Sequence, residues 1–168
     1  MNTIQIQHYD SPAGELILGS FEGKLCMCDW TGEKRRARTD ARLQKALEAR
    51  FDIGGSEVID RAIRELEEYF SHKRETFDIP LLFVGTDFQK KVWSHLLTIP
   101  YGGTISYGEM ARQIGMPKAV RALANANGAN AISIFAPCHR VIGSDNRLVG
   151  YGGGLKAKKI LLDLESAK

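Results

Sequence analysis

The chain has 168 residues, is 43% hydrophobic and carries a net charge of +3, a balance that supports a packed core and excludes a disordered polymer. Its apolar runs, such as Ile132-Ser133-Ile134-Phe135-Ala136, fall far short of the roughly 20 residues that cross a bilayer, and Met1-Asn2-Thr3-Ile4-Gln5 has neither the basic nor the apolar part of a secretory leader. Three cysteines (Cys26, Cys28 and Cys138) are an odd and small number, which excludes a disulfide scaffold and fits a reducing, cytoplasmic setting.

The elements are expected in the following order. Residues 3–9 alternate as a strand, with Ile4, Ile6 and His8 on one face, and Asp10-Ser11-Pro12-Ala13-Gly14 is turn chemistry. Two more strands, 15–21 and 24–30, flank Glu22-Gly23 as a hairpin. Cys26 and Cys28 are assigned to opposite faces of the third strand, as small strand residues, not metal ligands. A helix is expected over 40–51, with Leu43, Ala46, Leu47 and Phe51 on one side. Ser56 caps a second helix over 57–72, whose stripe is Val58, Ile59, Ile63, Leu66 and Phe70. An extended stretch over 76–85, with Pro80 and Gly85, marks a boundary between domains 1–85 and 86–168. Thr86 caps a helix over 87–97 with Phe88, Val92 and Leu96 inward. Short helices follow over 106–114 and 118–127 around Gly115-Met116-Pro117. A buried run then leads into Pro137-Cys138-His139-Arg140, and a glycine-rich loop over 148–154 precedes a closing helix over 155–165.

Charge is unevenly spread along this order. Residues 1–85 hold 12 basic and 15 acidic side chains, and residues 86–168 hold 11 and 5. The second half therefore has the balance of a polyanion-binding domain, and the first half does not.

Two features carry chemistry. The first is the helix–turn–helix pattern over 106–127. Its second helix is built of small residues, with Ala119, Ala122 and Ala126 spaced for close approach of a backbone and Arg121 as its one long cation. Groove readers normally point several Arg, Asn or Gln at base edges, so this pattern fits sequence-independent docking in DNA, and equally a plain packed helical hairpin. The second feature is Cys138, flanked by Pro137, His139 and Arg140. A thiolate is a soft nucleophile, and His139 and Arg140 supply a base and positive charge that lower a thiol pKa. The same cysteine in isolation also reads as a small buried hydrophobe. Alkyl transfer suits such a site better than hydrolysis. Attack on saturated carbon forms no oxyanion, and the thioether has no easy hydrolytic exit.

Together these residues resemble the O6-alkylguanine-DNA alkyltransferases, the methylated-DNA–protein-cysteine methyltransferases. The likeness covers roughly residues 86–165 and is looser before them. It runs through Phe88-Gln89 and Val92-Trp93, Ile105-Ser106-Tyr107-Gly108 and Pro117-Lys118-Ala119-Val120-Arg121-Ala122. It continues through Asn127-Gly128-Ala129-Asn130, Pro137-Cys138-His139-Arg140-Val141-Ile142, Gly150-Tyr151-Gly152-Gly153-Gly154-Leu155 and Lys158.

The resemblance implies an α+β fold: a small antiparallel sheet with helices, ribonuclease H-like, then a helical domain with a winged helix–turn–helix. It implies suicide repair of O6-alkylguanine, with O4-alkylthymine a further substrate, in double-stranded DNA by a monomer that needs no cofactor. Cys138 would accept the alkyl group. His139 would activate it through a bridging water, and Glu165 would polarise His139. Asn130 would organise the turn that carries the site, and Tyr107 would rotate the nucleotide outward and protonate the leaving guanine. Arg121 would fill the vacated stack, with Lys118, Ala119, Ala122, Ala126 and Asn127 also on the DNA-binding helix. Tyr151, Gly152, Gly153, Lys158 and Val141 would border the lesion pocket. Base flipping delivers the lesion.

This chain departs from the family pattern in places. Ala136 stands where a branched aliphatic is usual, which loosens packing behind the cysteine. Gly152 stands where some members have Ser, which predicts a roomier pocket. The zinc-ligand pattern of some N-terminal domains is missing, so no structural metal is expected. Two competing functions are a non-catalytic lesion-binding protein, which would lack Cys138, and a helix–turn–helix regulator, which would read base edges.

Overall fold

The computed structural model describes residues 2–143, 151 and 153–167. The chain opens with three strands, β1 (Asn2–Ser11), β2 (Gly14–Phe21) and β3 (Lys24–Trp30), joined as antiparallel neighbours. The β2–β3 turn holds Glu22 at φ 50° and Gly23 at φ 79°, the paired left-handed geometry whose twist matches a tight hairpin. The helix expected over 40–51 is α1 (Arg36–Leu47), which starts earlier and ends before Phe51. Glu48, at φ 48°, turns the chain in the left-handed region, and residues 49–53 form β4 (Ala49–Ile53). β4 pairs in parallel with β1, so the sheet runs β3-β2-β1-β4 and is mixed instead of purely antiparallel.

A bulge separates the two strand cysteines. Regular alternation would place residues i and i+2 of a strand on one face. The β2–β3 register slips between Gly19 and Ser20, so that Ser20 faces Leu25 and Gly19 faces Met27. Cys26 is the extra residue. It joins Met27, Ile4 and Leu43 under α1, and Cys28 joins Leu16 and Leu18 in the cluster on the other side.

That second cluster holds the halves of the chain together. α2 (Glu57–Phe70) is capped by Ser56, whose hydroxyl accepts from the Ile59 amide. It buries Val58, Ile59, Ala62, Leu66 and Tyr69, with Ile63 and Phe70 only partly covered. The stripe is therefore rotated toward Tyr69 relative to the expected one. Ile132, Ile134, Phe135, Ala157 and Leu161 from the second half pack into the same core. The backbone joins as well: the Cys28 amide donates to Ala131 O at 2.8 Å and the Ser133 amide donates to Cys28 O at 2.8 Å.

α3 (Asp87–Leu96) begins with a full capping box, Thr86 with Gln89. β5 (Ile105–Ser106) leads into α4 (Tyr107–Gln113), capped by the Ser106 hydroxyl. Gly115, at φ +78°, makes the turn toward α5 (Val120–Gly128), a conformation that side chains disfavour. Trp93 of α3 donates its indole N–H to Ala126 O at 2.8 Å and fixes α5 from behind. A single 3-10 turn, Cys138–Arg140, then runs into β6 (Val141–Ile142), parallel to β5. This short ladder is the second sheet among the described residues. The glycine-rich loop over 148–154 falls largely outside them, and so does Gly152. α6 (Gly154–Ser166) closes the chain.

Candidate active site

Cys138 heads the 3-10 turn and is buried, with 5% of its surface exposed. A constrained turn delivers it there. Ile134 has φ 73°, which is strained for a β-branched residue and must be held by its surroundings. Asn130 supplies the hold. Its side-chain oxygen accepts from the Ile132 amide at 3.0 Å, and its NH2 donates to Ala136 O at 3.0 Å. The Ala136 amide donates to Ile132 O at 3.0 Å and closes the loop. Asn130→Ala is expected to lower stability by about 1–3 kcal/mol, because the buried Ile132 amide loses its acceptor and Ala136 O keeps only the Cys138 amide. Chemical denaturation measures this, and Asn130→Asp should recover only part, since it restores the acceptor without the donor.

His139 is fully buried. Its Nε2 lies 2.7 Å from Glu165 Oε2. Glu165, on the last turn of α6, also accepts from Arg140 Nε at 2.8 Å, from a terminal Arg140 nitrogen at 3.0 Å and from Tyr69 Oη–H at 2.6 Å. The Gly102 amide adds a longer contact at 3.3 Å. Arg140 donates in turn to Ile99 O at 2.7 Å. Burial alone would raise the Glu165 pKa, but the hydrogen bonds from His139, Arg140 and Tyr69 overcome it and hold the carboxyl at about 2.

Its position two residues after Cys138 suggests that Arg140 serves the thiol. Its guanidinium instead serves Glu165, where the bidentate fork fits a carboxylate. Tyr69 was missed entirely, because it lies in α2, far away in sequence, and reads locally as a core aromatic.

Burial pushes the Cys138 thiol up, while the Asn130 amide, the Lys158 ammonium and the Ser133 hydroxyl pull it down. The net direction is upward, so the resting sulfur is a thiol. Burial lowers the His139 pKa despite Glu165, so the resting imidazole is neutral. Its Nδ1 is buried with no hydrogen-bond partner among the described residues. A buried thiol next in the chain to a neutral imidazole, itself backed by a carboxylate, has the parts that a base-activated nucleophile requires.

Cys138 opens into a cavity of about 870 Å³ that Tyr107, Asn127, Tyr151, Trp30 and Asp29 also line. Tyr107 begins α4, and its hydroxyl accepts from Asn127 Nδ2 at 3.4 Å. Asn127 Nδ2 also donates to Cys138 O at 3.3 Å. Tyr151 stands edge-on to Trp30, with ring centroids 5.8 Å apart. Gly153 also borders the cavity. A Cβ there would come within 2.6 Å of the Trp30 ring, so the bare backbone is what fits.

Two expected pocket residues act from beneath. Lys158 is fully buried and donates to Val141 O at 2.8 Å, and the Val141 side chain belongs to the core around Leu96 and Met110. Neither lines the cavity.

The helix–turn–helix is present. Lys118, Arg121, Ala122 and Asn125 face outward on or just before α5, and Ala119 is half-buried. Ala126 and Asn127 do not join that face. Both are buried, Ala126 against Trp93 and Asn127 beneath Cys138. The outer surface is therefore narrower than expected, and Asn127 belongs to the nucleophile's surroundings.

A buried cysteine followed in the chain by a histidine paired with a glutamate, beside an outward helix–turn–helix, is the arrangement of a cysteine-dependent transferase with a nucleic-acid-docking element. Residues 4–83 match the ribonuclease-like domain of 6-O-methylguanine DNA methyltransferase, and residues 87–167 match its DNA-binding domain. The methylated-DNA–protein-cysteine methyltransferase of Mycobacterium tuberculosis is 45% identical over 96% of this chain and 93% of its own length. The enzyme of that name from Methanosarcina barkeri is 45% identical over 93% of each chain. A crystal structure of the M. tuberculosis protein in complex with DNA superposes with TM-score 0.82 at 41% identity, over 98% of this chain and 92% of that one. The chain belongs to the methylated-DNA–protein-cysteine methyltransferase family.

Proposed function

We propose that this protein repairs alkylated DNA by direct reversal, moving a methyl or larger alkyl group from O6 of guanine to Cys138. The observation that carries the reading is the buried Cys138 at the cavity wall, next in the chain to a buried His139 that is paired with Glu165. The relatives' activity and the DNA-bound relative support the same reading.

The sulfur attacks the first carbon of the O6 substituent. An S–C bond forms, the C–O6 bond breaks, and its electron pair leaves on O6. The thiol proton passes to His139, through a bridging water, and Glu165 stabilises the imidazolium. Tyr107 protonates the leaving guanine and recovers its proton from the relay, so the thiol hydrogen ends on the base. The product thioether cannot be hydrolysed readily, so each molecule acts once.

α5 lies in the DNA groove and Arg121 occupies the space of the extruded nucleotide. Residues 1–85 form the α/β domain and residues 86–168 carry docking and transfer. No helix among the described residues is long and apolar enough to cross a membrane, and we place the protein in the cytoplasm as a monomer.

Intact-mass spectrometry tests the reaction. Mixed with an oligonucleotide bearing O6-methylguanine, the protein should gain one methylene equivalent, stop there, and show no gain as Cys138→Ala. Lesion binding without mass gain would make it a non-catalytic lesion binder, and neither would overturn the reading.

A further inference from the structure

We propose that the groove between α1 and α5 is a phosphate-binding site, which takes a phosphate of the DNA backbone beside the recognition helix. The proposal rests on the docking of α5 argued above. The first half of the chain is acidic overall, but its positive charge is concentrated in one place. Residues 34–45 hold Lys34, Arg35, Arg36, Arg38, Arg42 and Lys45, six of the twelve basic residues in 1–85, and only Asp40 of its fifteen acidic ones.

The three arginines at positions 35, 38 and 42 recur at helical spacing on α1 and its N-cap position. They line a groove of about 520 Å³ with Thr86 of the α3 cap and with Ala122 and Asn125 of α5. Two of them are set in place by α5. Arg35 donates to Asn125 O at 3.2 Å and Arg42 donates to Ala129 O at 3.0 Å. Gly128 leaves room for this, because a Cβ there would lie 2.5 Å from an Arg35 nitrogen. These guanidiniums sit at the C-terminal end of α5, where positive charge is favoured.

Each contact uses one of five N–H donors. Arg42 is half-buried, with its guanidinium over the Trp93 ring at 5.5 Å, and it forms the floor of the groove. Arg38 is exposed on the same wall. Arg36, by contrast, is committed to Asp40 at 2.8 Å.

The position of the groove selects its ligand. A helix seated in a DNA groove has a phosphate strand along each flank. Ala122 and Asn125 belong both to the outward face of α5 and to this groove. A strand passing the α1 flank therefore meets Arg38 first, with the remaining donors of Arg35 and the positive charge of Arg42 behind it. The forked guanidinium matches a phosphate's oxygens. The contact carries no sequence information and fixes the register of α5 on the duplex.

Fluorescence anisotropy with an unmodified duplex, read across a range of salt, tests the site in the full chain. Arg38→Ala should flatten the dependence of log affinity on log salt by about one unit, the signature of one lost phosphate contact. Arg50→Ala, on exposed β4 in the same half, removes the same charge away from the groove and should leave the slope as it was. An unchanged slope for Arg38→Ala, with Arg121→Ala still weakening binding, overturns the groove site and leaves α5 docking intact. If neither variant changes binding, the docking of α5 falls and the groove with it. Thermal melting in inorganic phosphate separates the two sources of the anion. Stabilisation of the wild type by phosphate that Arg38→Ala loses, with an unaltered DNA slope, would make this a free-phosphate site and overturn the assignment to DNA.

Discussion

Glu165→Ala is expected to lose about 3–5 kcal/mol of stability. The side chain is buried and accepts from three side chains, His139, Arg140 and Tyr69. Its removal leaves Arg140 a buried cation that keeps, among the described residues, the Ile99 carbonyl and the face of the Tyr101 ring. It also leaves the Tyr69 hydroxyl and His139 Nε2 without acceptors. Breaking a buried pair from one side is costly for this reason.

The effect depends on pH in a definite direction. The folded carboxyl titrates at about 2, below its ordinary 4.5. Below about pH 4.5 the unfolded chain binds the proton and the folded chain resists it. The stabilisation is therefore complete above about pH 4.5 and is lost as pH falls through about 2. Denaturant melts should show wild type and Glu165→Ala well separated at neutral pH and converging as the pH falls. A gap of equal size at both ends would assign the loss to packing and not to the carboxylate. Glu165→Gln should fall between the two, since it keeps the shape and loses the charge.

Local pattern carried much of this architecture, and its failures share a cause. The three-strand start, the caps at Ser56 and Thr86 and the turn at Gly115 all rest on residues within a few positions of each other, whereas Ser106 proves to be the cap of its helix and not its first residue. β4 was read as the end of a helix because Phe51 follows Leu47 at helical spacing. What makes it a strand is pairing with β1, across more than forty residues. No glycine marks the stop either, since Glu48 takes the left-handed turn itself.

The bulge at Cys26 is equally non-local, being a register set by β2. At the site, Cys138 and His139 were legible because they are adjacent in the chain. The redirection of Arg140 to Glu165 and the arrival of Tyr69 depend on how α2 packs against α6, which no motif records. The small residues of α5 suggested close approach on three alanines, but the actual helix phase turns Ala126 inward against Trp93.

His139→Ala is expected to slow alkyl transfer by about 10²–10⁴-fold near pH 7, the usual worth of a positioned base. The thiol needs that help. Burial raises the Cys138 pKa above its ordinary 9.0, so almost no thiolate exists at rest. Burial also lowers the His139 pKa below 6.5, so the imidazole is already neutral and able to take the proton. Glu165 then faces the imidazolium across the 2.7 Å contact and supplies the stabilisation that burial denies.

The pH profile of single-turnover transfer to O6-methylguanine in a duplex follows from these two directions. The wild-type rate should be flat around neutrality and fall only below the ordinary imidazole range, where His139 becomes protonated. In His139→Ala that acid limb should vanish and the rate should climb with hydroxide, as direct ionisation of the raised thiol takes over. The two curves should therefore approach each other above pH 9. A wild-type rate that instead rises steadily through pH 7–9, parallel to the variant, would mean that free ionisation of Cys138 drives the reaction and that His139 is not its base.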